Sequence, residues 1–421
     1  MRLEEYLPRK SWKWIFLGSL VWFLFLLRFG SYQMTLNATW ADSVSNIYST
    51  WIFWDHGLDI YDRPTGDFLS PLTDDERSKL SAETGLHPTD FFTYGSDTTT
   101  SPIYVVWESV PRPYPPGLYL YLTPTSILHR MKWLDLRETM ILTVGIWIFV
   151  AHLVIFVFLK GISETYPNPT RSQRFWIILS VIVVYFEIMR WTMNSEYDAI
   201  AVLASLLAVR SWQMKRPFVC LFLLGVGFFL HLRNLFYLPL LAFALWQWIP
   251  GFTLSAIKKR LAELSSAKWF AVFLALAMSL LAFITMKGNA PFFKLAHLYD
   301  LNGLHWSKLG PGNWPATLLL TAGLLIILSY WWKKRLHVAI ACTLWLVFML
   351  MQTRLLREWY ILFFLPLFLL ALNGEKRNQN SALNLVVALG ALTFLSAMFL
   401  SNSPFEFRLI RELVEAVSAR W

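Results

Sequence analysis

The chain has 421 residues, of which 56% are hydrophobic and 15% charged, whereas a soluble globular chain is about 45–50% apolar and roughly 25% charged. Aromatic residues reach 17%, and the mean hydropathy is +0.46. These values exclude a soluble enzyme, a disordered chain and a one-span receptor, and leave a polytopic α-helical membrane protein. Both cysteines, Cys220 and Cys342, lie inside apolar runs, so neither a disulfide framework nor a zinc site is on offer.

A helix of about 20 apolar residues crosses a bilayer. Apolar runs occur at 12–29, 139–159, 175–191, 197–212, 218–230, 235–248, 269–286, 316–332, 338–352, 360–372 and 383–400, eleven in all. Several are short, as expected of tilted or half-buried helices around a cavity. A further run at 117–128 carries Pro124 and is too short to cross, so it reads as a re-entrant or interfacial segment.

The positive-inside rule decides that case. With 117–128 not crossing, five later loops share one side and hold 15 basic residues, among them Lys160, Arg210, Lys258, Lys259, Arg260 and Lys333. The opposite loops hold 7, including Arg190, Arg233, Lys287, Arg354 and Arg357. An extra crossing would invert the ratio. The N-terminus, with Arg2, Arg9, Lys10 and Lys13, reads cytoplasmic. The expected topology is eleven spans, N-terminus inside and C-terminus outside. The first run reads as a retained helix and not a cleaved signal.

The chain divides accordingly into a cytoplasmic N-terminus and first span (1–30), a large extracytoplasmic loop (31–137), core spans (138–250), C-terminal spans (251–403) with an outer flap at 287–314, and an amphipathic tail (404–421). Between positions 31 and 115 the loop has 12 acids against four basic residues. The overall charge of +10 is therefore cytoplasmic loop charge and gives no hint of nucleic acid. Within the loop, 42–54 places Ile47, Tyr48, Trp51 and Ile52 on one helical face. Next to a span, such a helix is expected in the membrane interface. Asp42 sits near its start, where the helix dipole favours a carboxylate. Residues 57–61 follow as an exit turn. The stretch 63–110 is polar and predicts a loop with a short helix around 74–84. Pro113, Pro115 and Pro116 then stiffen the chain around Tyr114, just before Gly117.

The ordered set of a first span, an acidic loop with an early Asp42, a G-x-x-x-Y turn at Gly57–Tyr61 and Tyr114-Pro-Pro before a non-crossing apolar segment resembles the GT-C superfamily of polytopic glycosyltransferases. The resemblance is to the dolichyl-phosphate-mannose and GPI mannosyltransferase-like group and its bacterial relatives. It continues in Asn194, Glu196 and Asp198, which open a span on the outer side, and in His231, Arg233 and Asn234 at an outer helix break. It implies an inverting transfer of a sugar, mannose by analogy, from a polyprenyl phosphate to a glycan or lipid-linked acceptor on the extracytoplasmic face. Asp42 is then the general base; Asn194, Glu196, Asp198 and Tyr114 bind the sugar; His231, Arg233, Arg354 and Arg357 bind the lipid phosphate, to which a guanidinium fork is well matched. Asp42 has Ala41 and Ser43 beside it, not the paired acid common in the superfamily, so the implied site has no resident metal or cofactor while a divalent ion stays open.

Each of these residues has a plainer role available. Asp42 can cap its helix. Asn194, Glu196 and Asp198 can cap theirs. Arg233 can anchor at the interface, and Arg357 can pair with Glu358. Asp55 and Asp59 read as solvated loop acids, and His152 as a packing histidine. His297 and His305 lack a carboxylate in register for a metal, and Asn37-Ala-Thr39 is a sequon close to the membrane. Two other functions remain, a secondary transporter or lipid flippase and an O-antigen ligase or polymerase. The compact ends favour a bacterial cytoplasmic membrane over an endoplasmic reticulum.

Overall fold

A computed structural model of the protein describes residues 3–36, 38–84, 91–94, 100–102, 111–112, 114–193, 197–249, 253–298, 337–352, 362–363 and 365–372. The expected spans at 316–332 and 383–400, the tail at 404–421, and Asn194, Glu196, Arg354 and Arg357 lie outside these residues.

The chain begins with α1 (Ser11–Leu36) and α2 (Ala38–His56), then 3-10 turns at Gly57–Tyr61 and Thr65–Phe68. The loop continues with β1 (Leu69–Pro71), α3 (Asp74–Thr84), β2 (Phe91–Tyr94) and β3 (Thr100–Pro102). After it come α4 (Pro116–Arg130), α5 (Leu136–Thr165), α6 (Arg171–Met193), α7 (Asp198–Gln213) and α8 (Pro217–Leu230). A 3-10 turn at Leu232–Tyr237 leads into α9 (Leu238–Trp248), α10 (Leu254–Ala262) and α11 (Ser266–Leu298). The last described helices are α12 (His337–Gln352) and α13 (Leu365–Leu372).

Helix starts follow local chemistry. Asp135 Oδ1 accepts from the Glu138 backbone N–H at 2.7 Å, and the Asp135 N–H donates to Glu138 Oε2 at 3.0 Å. This reciprocal capping box opens α5. Thr170 and Gln173 repeat it before α6 (3.2 and 2.9 Å), and Thr73 with Glu76 before α3 (3.4 and 3.0 Å). The Thr73 bonds hold the Glu76 carboxyl below its ordinary range.

Two details differ from what the sequence suggests. The described residues are mostly helical, as expected, but the loop also holds β1, β2 and β3, which form a small antiparallel sheet with Leu69 opposite Tyr94 and Phe92 opposite Ser101. Pro71 and Pro102 fall on its two outer strands, where sheets confine proline. The expected flap at 287–314 starts inside α11, which continues to Leu298; the rest lies outside the described residues.

Mostly buried α5 is the central helix and packs against α1, α4, α6 and α7. Three helices are long and apolar enough to cross a membrane, within Ser11–Arg28, Leu136–Thr165 and Arg171–Met189; the bent α10–α11 pair makes up to four among the described residues. Large apolar side chains lie bare on the outer faces: Phe16, Leu20 and Leu24 on α1; Phe175, Ile178, Ile182 and Phe186 on α6; Phe270, Phe273 and Leu276 on α11, Phe273 being 70% exposed. Contiguous apolar surface of this kind is rare on soluble monomers and suits helices solvated by lipid.

One end of the bundle is tied by charges. Arg210, expected among the loop cations, is instead buried in the last turn of α7 and pairs with Glu164. Glu164 also meets Lys160 at 3.2 Å. Arg216 pairs with Glu5, and the Tyr6 and Ser211 hydroxyls lie 2.7 Å apart. These contacts hold the N-terminal segment against the α7–α8 turn.

Candidate functional site

The site is built from three parts of the chain. The first is α2 with α4. Ile47, Tyr48, Trp51 and Ile52 share one face, as their spacing predicts, and that face is covered by the protein itself and not turned to a membrane interface. Trp51 Nε1 donates to the Ser126 carbonyl at 2.9 Å, Trp54 Nε1 to Thr123 Oγ1 at 2.9 Å, and Ser126 Oγ to the Ile47 carbonyl at 3.1 Å. The His129 ring stacks on Trp51 at 5.3 Å. Asp55 is exposed, as expected of a solvated acid, but it lies on α2 and takes a bidentate pair from Arg130 at 2.8 and 2.7 Å that clasps the two helices. Asp59 stays exposed, as expected, in the 3-10 turn. Gly57 enters that turn at φ +61°, a conformation that favours glycine. Tyr61 at its end is buried, and burial followed by the neighbouring Tyr119 pushes its hydroxyl far above the ordinary range. Asp42 lies on the fifth residue of α2, one turn inside the helix and not at its cap, because α2 begins at Ala38. The Asp42 side chain lies outside the described residues.

The second segment is the proline-rich entry to α4. Gly117 sits against the last turn of α8: a Cβ there would fall on the Phe229 carbonyl oxygen and within 2.9 Å of Leu230 Cα. Only glycine allows this approach, and it brings Tyr114 beside the helix break that follows Leu230.

The third segment is that break together with the start of α7. His231 ends α8 in an extended conformation, and the 3-10 turn follows. The break is held from inside. Asn234 Nδ2 donates to the Gly227 carbonyl at 2.7 Å, and Ser205 Oγ donates to Asn234 Oδ1. Asn234 is fully buried and acts as a clamp, and not as a surface polar group. Arg233 is placed in the 3-10 turn by its backbone; its side chain lies outside the described residues.

Asp198 is the first residue of α7, and its Oδ1 lies 3.3 Å from His231 Nε2. The side chains are 1% and 7% exposed. A buried carboxylate is costly unless something offsets its charge. Here the carboxylate sits at the positive end of α7, which favours its charge, with the His231 ring beside it. Tyr197 packs its ring 5.3 Å from His231, Tyr114 stands edge-on to Tyr197 at 5.6 Å, and Trp147 of α5 approaches Tyr197 at 6.1 Å. Phe363 closes the far side of His231 at 6.3 Å.

Thus Tyr114, Asp198 and His231, three of the residues singled out in the sequence, share one cluster. Sequence reasoning gave Asp198 a sugar-binding role; in the structure its carboxylate lies beside the His231 ring. Reasoning from sequence also missed Tyr197, Trp147 and Phe363, and it counted Arg112 only as loop charge. The Arg112 side chain is fully buried, and its backbone N–H donates to the Ile60 carbonyl at 3.1 Å. Its position directly before the prolines was the available signal. His152 is buried, with Nδ1 2.8 Å from the Ile148 carbonyl and 3.2 Å from Ser19 Oγ, as a packing histidine should be. Among the described residues no group of three or more His, Cys, Asp or Glu could hold a metal ion. No protein-family model, no curated protein and no solved structure matches the chain.

Proposed function

We propose that the protein is an inverting membrane glycosyltransferase that takes a sugar from a polyprenyl phosphate and passes it to an extracytoplasmic acceptor hydroxyl. The observation that carries this reading is the meeting of Tyr114, Asp198 and His231 around Tyr197. A histidine at a break between two apolar helices, steadied by a buried carboxylate and walled by aromatic rings, suits a phosphate that arrives on a lipid. Aromatic faces suit the apolar side of a sugar ring or of the first isoprene unit. In this reading Asp42 accepts the acceptor proton, and His231 with Arg233, Arg354 and Arg357 stabilises the leaving phosphate. Such stabilisation of developing charge is commonly worth several kcal/mol. Asp198 acts through His231, while Asn194, Glu196 and Tyr114 hold the sugar. The fold is then an eleven-span GT-C-like bundle in a bacterial cytoplasmic membrane, with its first loop outside.

Two measurements bear on this. Polyprenyl phosphate should raise the unfolding temperature of the purified chain, whereas polyprenol of the same length should not. Equal stabilisation by both means that the phosphate is not recognised. For the topology, Ser78 and Ser265 are exposed and both native cysteines are buried. Ser78→Cys should label with an impermeant reagent from outside the cell and Ser265→Cys should not; labelling at both, or the reverse, removes the eleven-span arrangement.

A further inference from the structure

We propose that α10 is an interfacial helix that lies on a leaflet rich in anionic phospholipid, with Lys258 and Arg260 binding the headgroup phosphates. The geometry comes first. The axis of α10 makes an angle of 117° with the first part of α11. With α11 along the bilayer normal, α10 lies within about 30° of the bilayer plane, the attitude of a surface helix. The two neighbouring helix ends carry the aromatic markers of an interface: Trp246 near the end of α9 and Trp269 in the first turn of α11, 59% and 45% exposed. Trp at this depth is the usual boundary residue. Just beyond Trp269, Phe270, Phe273 and Leu276 continue the bare apolar face of α11.

The sequence of α10 fits that position. Thr253 caps it, its hydroxyl accepting from the Ala256 N–H at 3.2 Å, so the helix has a defined start. Leu254, Ile257 and Leu261 recur at one-face spacing, yet no residue of α10 is buried in the protein and Leu254 is 67% exposed. At about 100° per residue, Lys258 and Arg260 fall on the two flanks of that stripe and Lys259 on the opposite side. Flanking cations can snorkel to phosphates while the stripe enters the acyl boundary. Arg260 meets Glu263 at 2.9 Å with both groups over 40% exposed; such a pair contributes little and does not hinder an anion. Lys268 adds a third cation at the start of α11. Apolar stripe, flanking cations, Trp boundary and axis angle all specify one occupant, the anionic bilayer surface. This inference is independent of the glycosyltransferase reading.

The test uses the full chain in lipid nanodiscs. A bimane probe on Leu254→Cys or Ser255→Cys reports its position, since Cys220 and Cys342 are buried. Acyl-brominated phosphatidylglycerol, added as a minor lipid, should quench the Leu254 probe more than the same fraction of brominated phosphatidylcholine. Aqueous iodide should reach the Ser255 probe and not the Leu254 probe. Lys258→Gln and Arg260→Gln should each reduce the preference for phosphatidylglycerol by about fivefold, and Lys259→Gln should reduce it less. Equal quenching by the two lipids in the unsubstituted helix overturns the proposal. So does iodide access at Leu254, which leaves the helix in water, or a Leu254 probe reached by neither quencher, which places it against protein.

Discussion

Asp42→Asn is expected to fold and insert like the natural chain and to lose sugar transfer by about 10²-fold or more, the range in which a positioned general base acts. An ordinary Asp, near pKa 3.9, is ionised at neutral pH; Asn is nearly isosteric but cannot take the acceptor proton. Because Asp42 lies one turn inside α2, the substitution removes no helix cap, which sharpens the test. Asp59→Asn is the proper control, since Asp59 is exposed in its turn. Asp55→Asn is a poorer one, because it breaks the bidentate pair with Arg130 and should lower stability. Initial rates of transfer with the detergent-purified variants check this. Near-normal turnover of Asp42→Asn beside a dead Asp59→Asn means that another carboxylate is the base.

The second expectation concerns Asp198 and His231. His231→Ala should raise the donor concentration needed for half-maximal rate by about tenfold or more, because a hydrogen bond to a charged group is worth roughly 1.5–3 kcal/mol. It should also destabilise the chain, since the buried Asp198 charge loses the ring that faces it. Asp198→Asn removes that charge. The double variant should therefore recover stability relative to His231→Ala but still use the donor poorly, a non-additivity expected of groups in contact. Thermal unfolding and donor-dependent rates on the four proteins separate the effects. If donor use simply follows stability through the set, His231 is a packing residue and the phosphate lies elsewhere.

Much of this arrangement was legible in the sequence, for local reasons. The buried face of α2, α3 at Asp74–Thr84 and the break after Leu230 follow from spacing, capping residues and polar residues inside an apolar run. The sheet was not legible. Its strands are three or four residues long, and Thr and Ser dilute the alternation that would betray them. Helical periodicity tells which face of a helix is buried and not what it meets. Hence Asp198 and His231 were each singled out, but their 3.3 Å approach was not. For the same reason Arg210 was read as a loop cation, although α5 and Glu164 receive it in the bundle. Gly117 shows the limit from the other side: from sequence it only ends a rigid proline-rich stretch, and the packed α4–α8 contact alone reveals that the backbone of α8 excludes any side chain there.

The most direct test is transfer itself. Membranes carrying the protein, or its Asp42→Asn variant, are supplied with a panel of polyprenyl-phosphate sugars labelled in the sugar, mannose first. Label should pass to a membrane or glycan acceptor with inverted anomeric configuration in the first sample and not in the second. If no sugar in the panel is transferred by the natural chain, or if both samples transfer equally, the protein is not this glycosyltransferase, and lipid or solute transport becomes the reading to pursue.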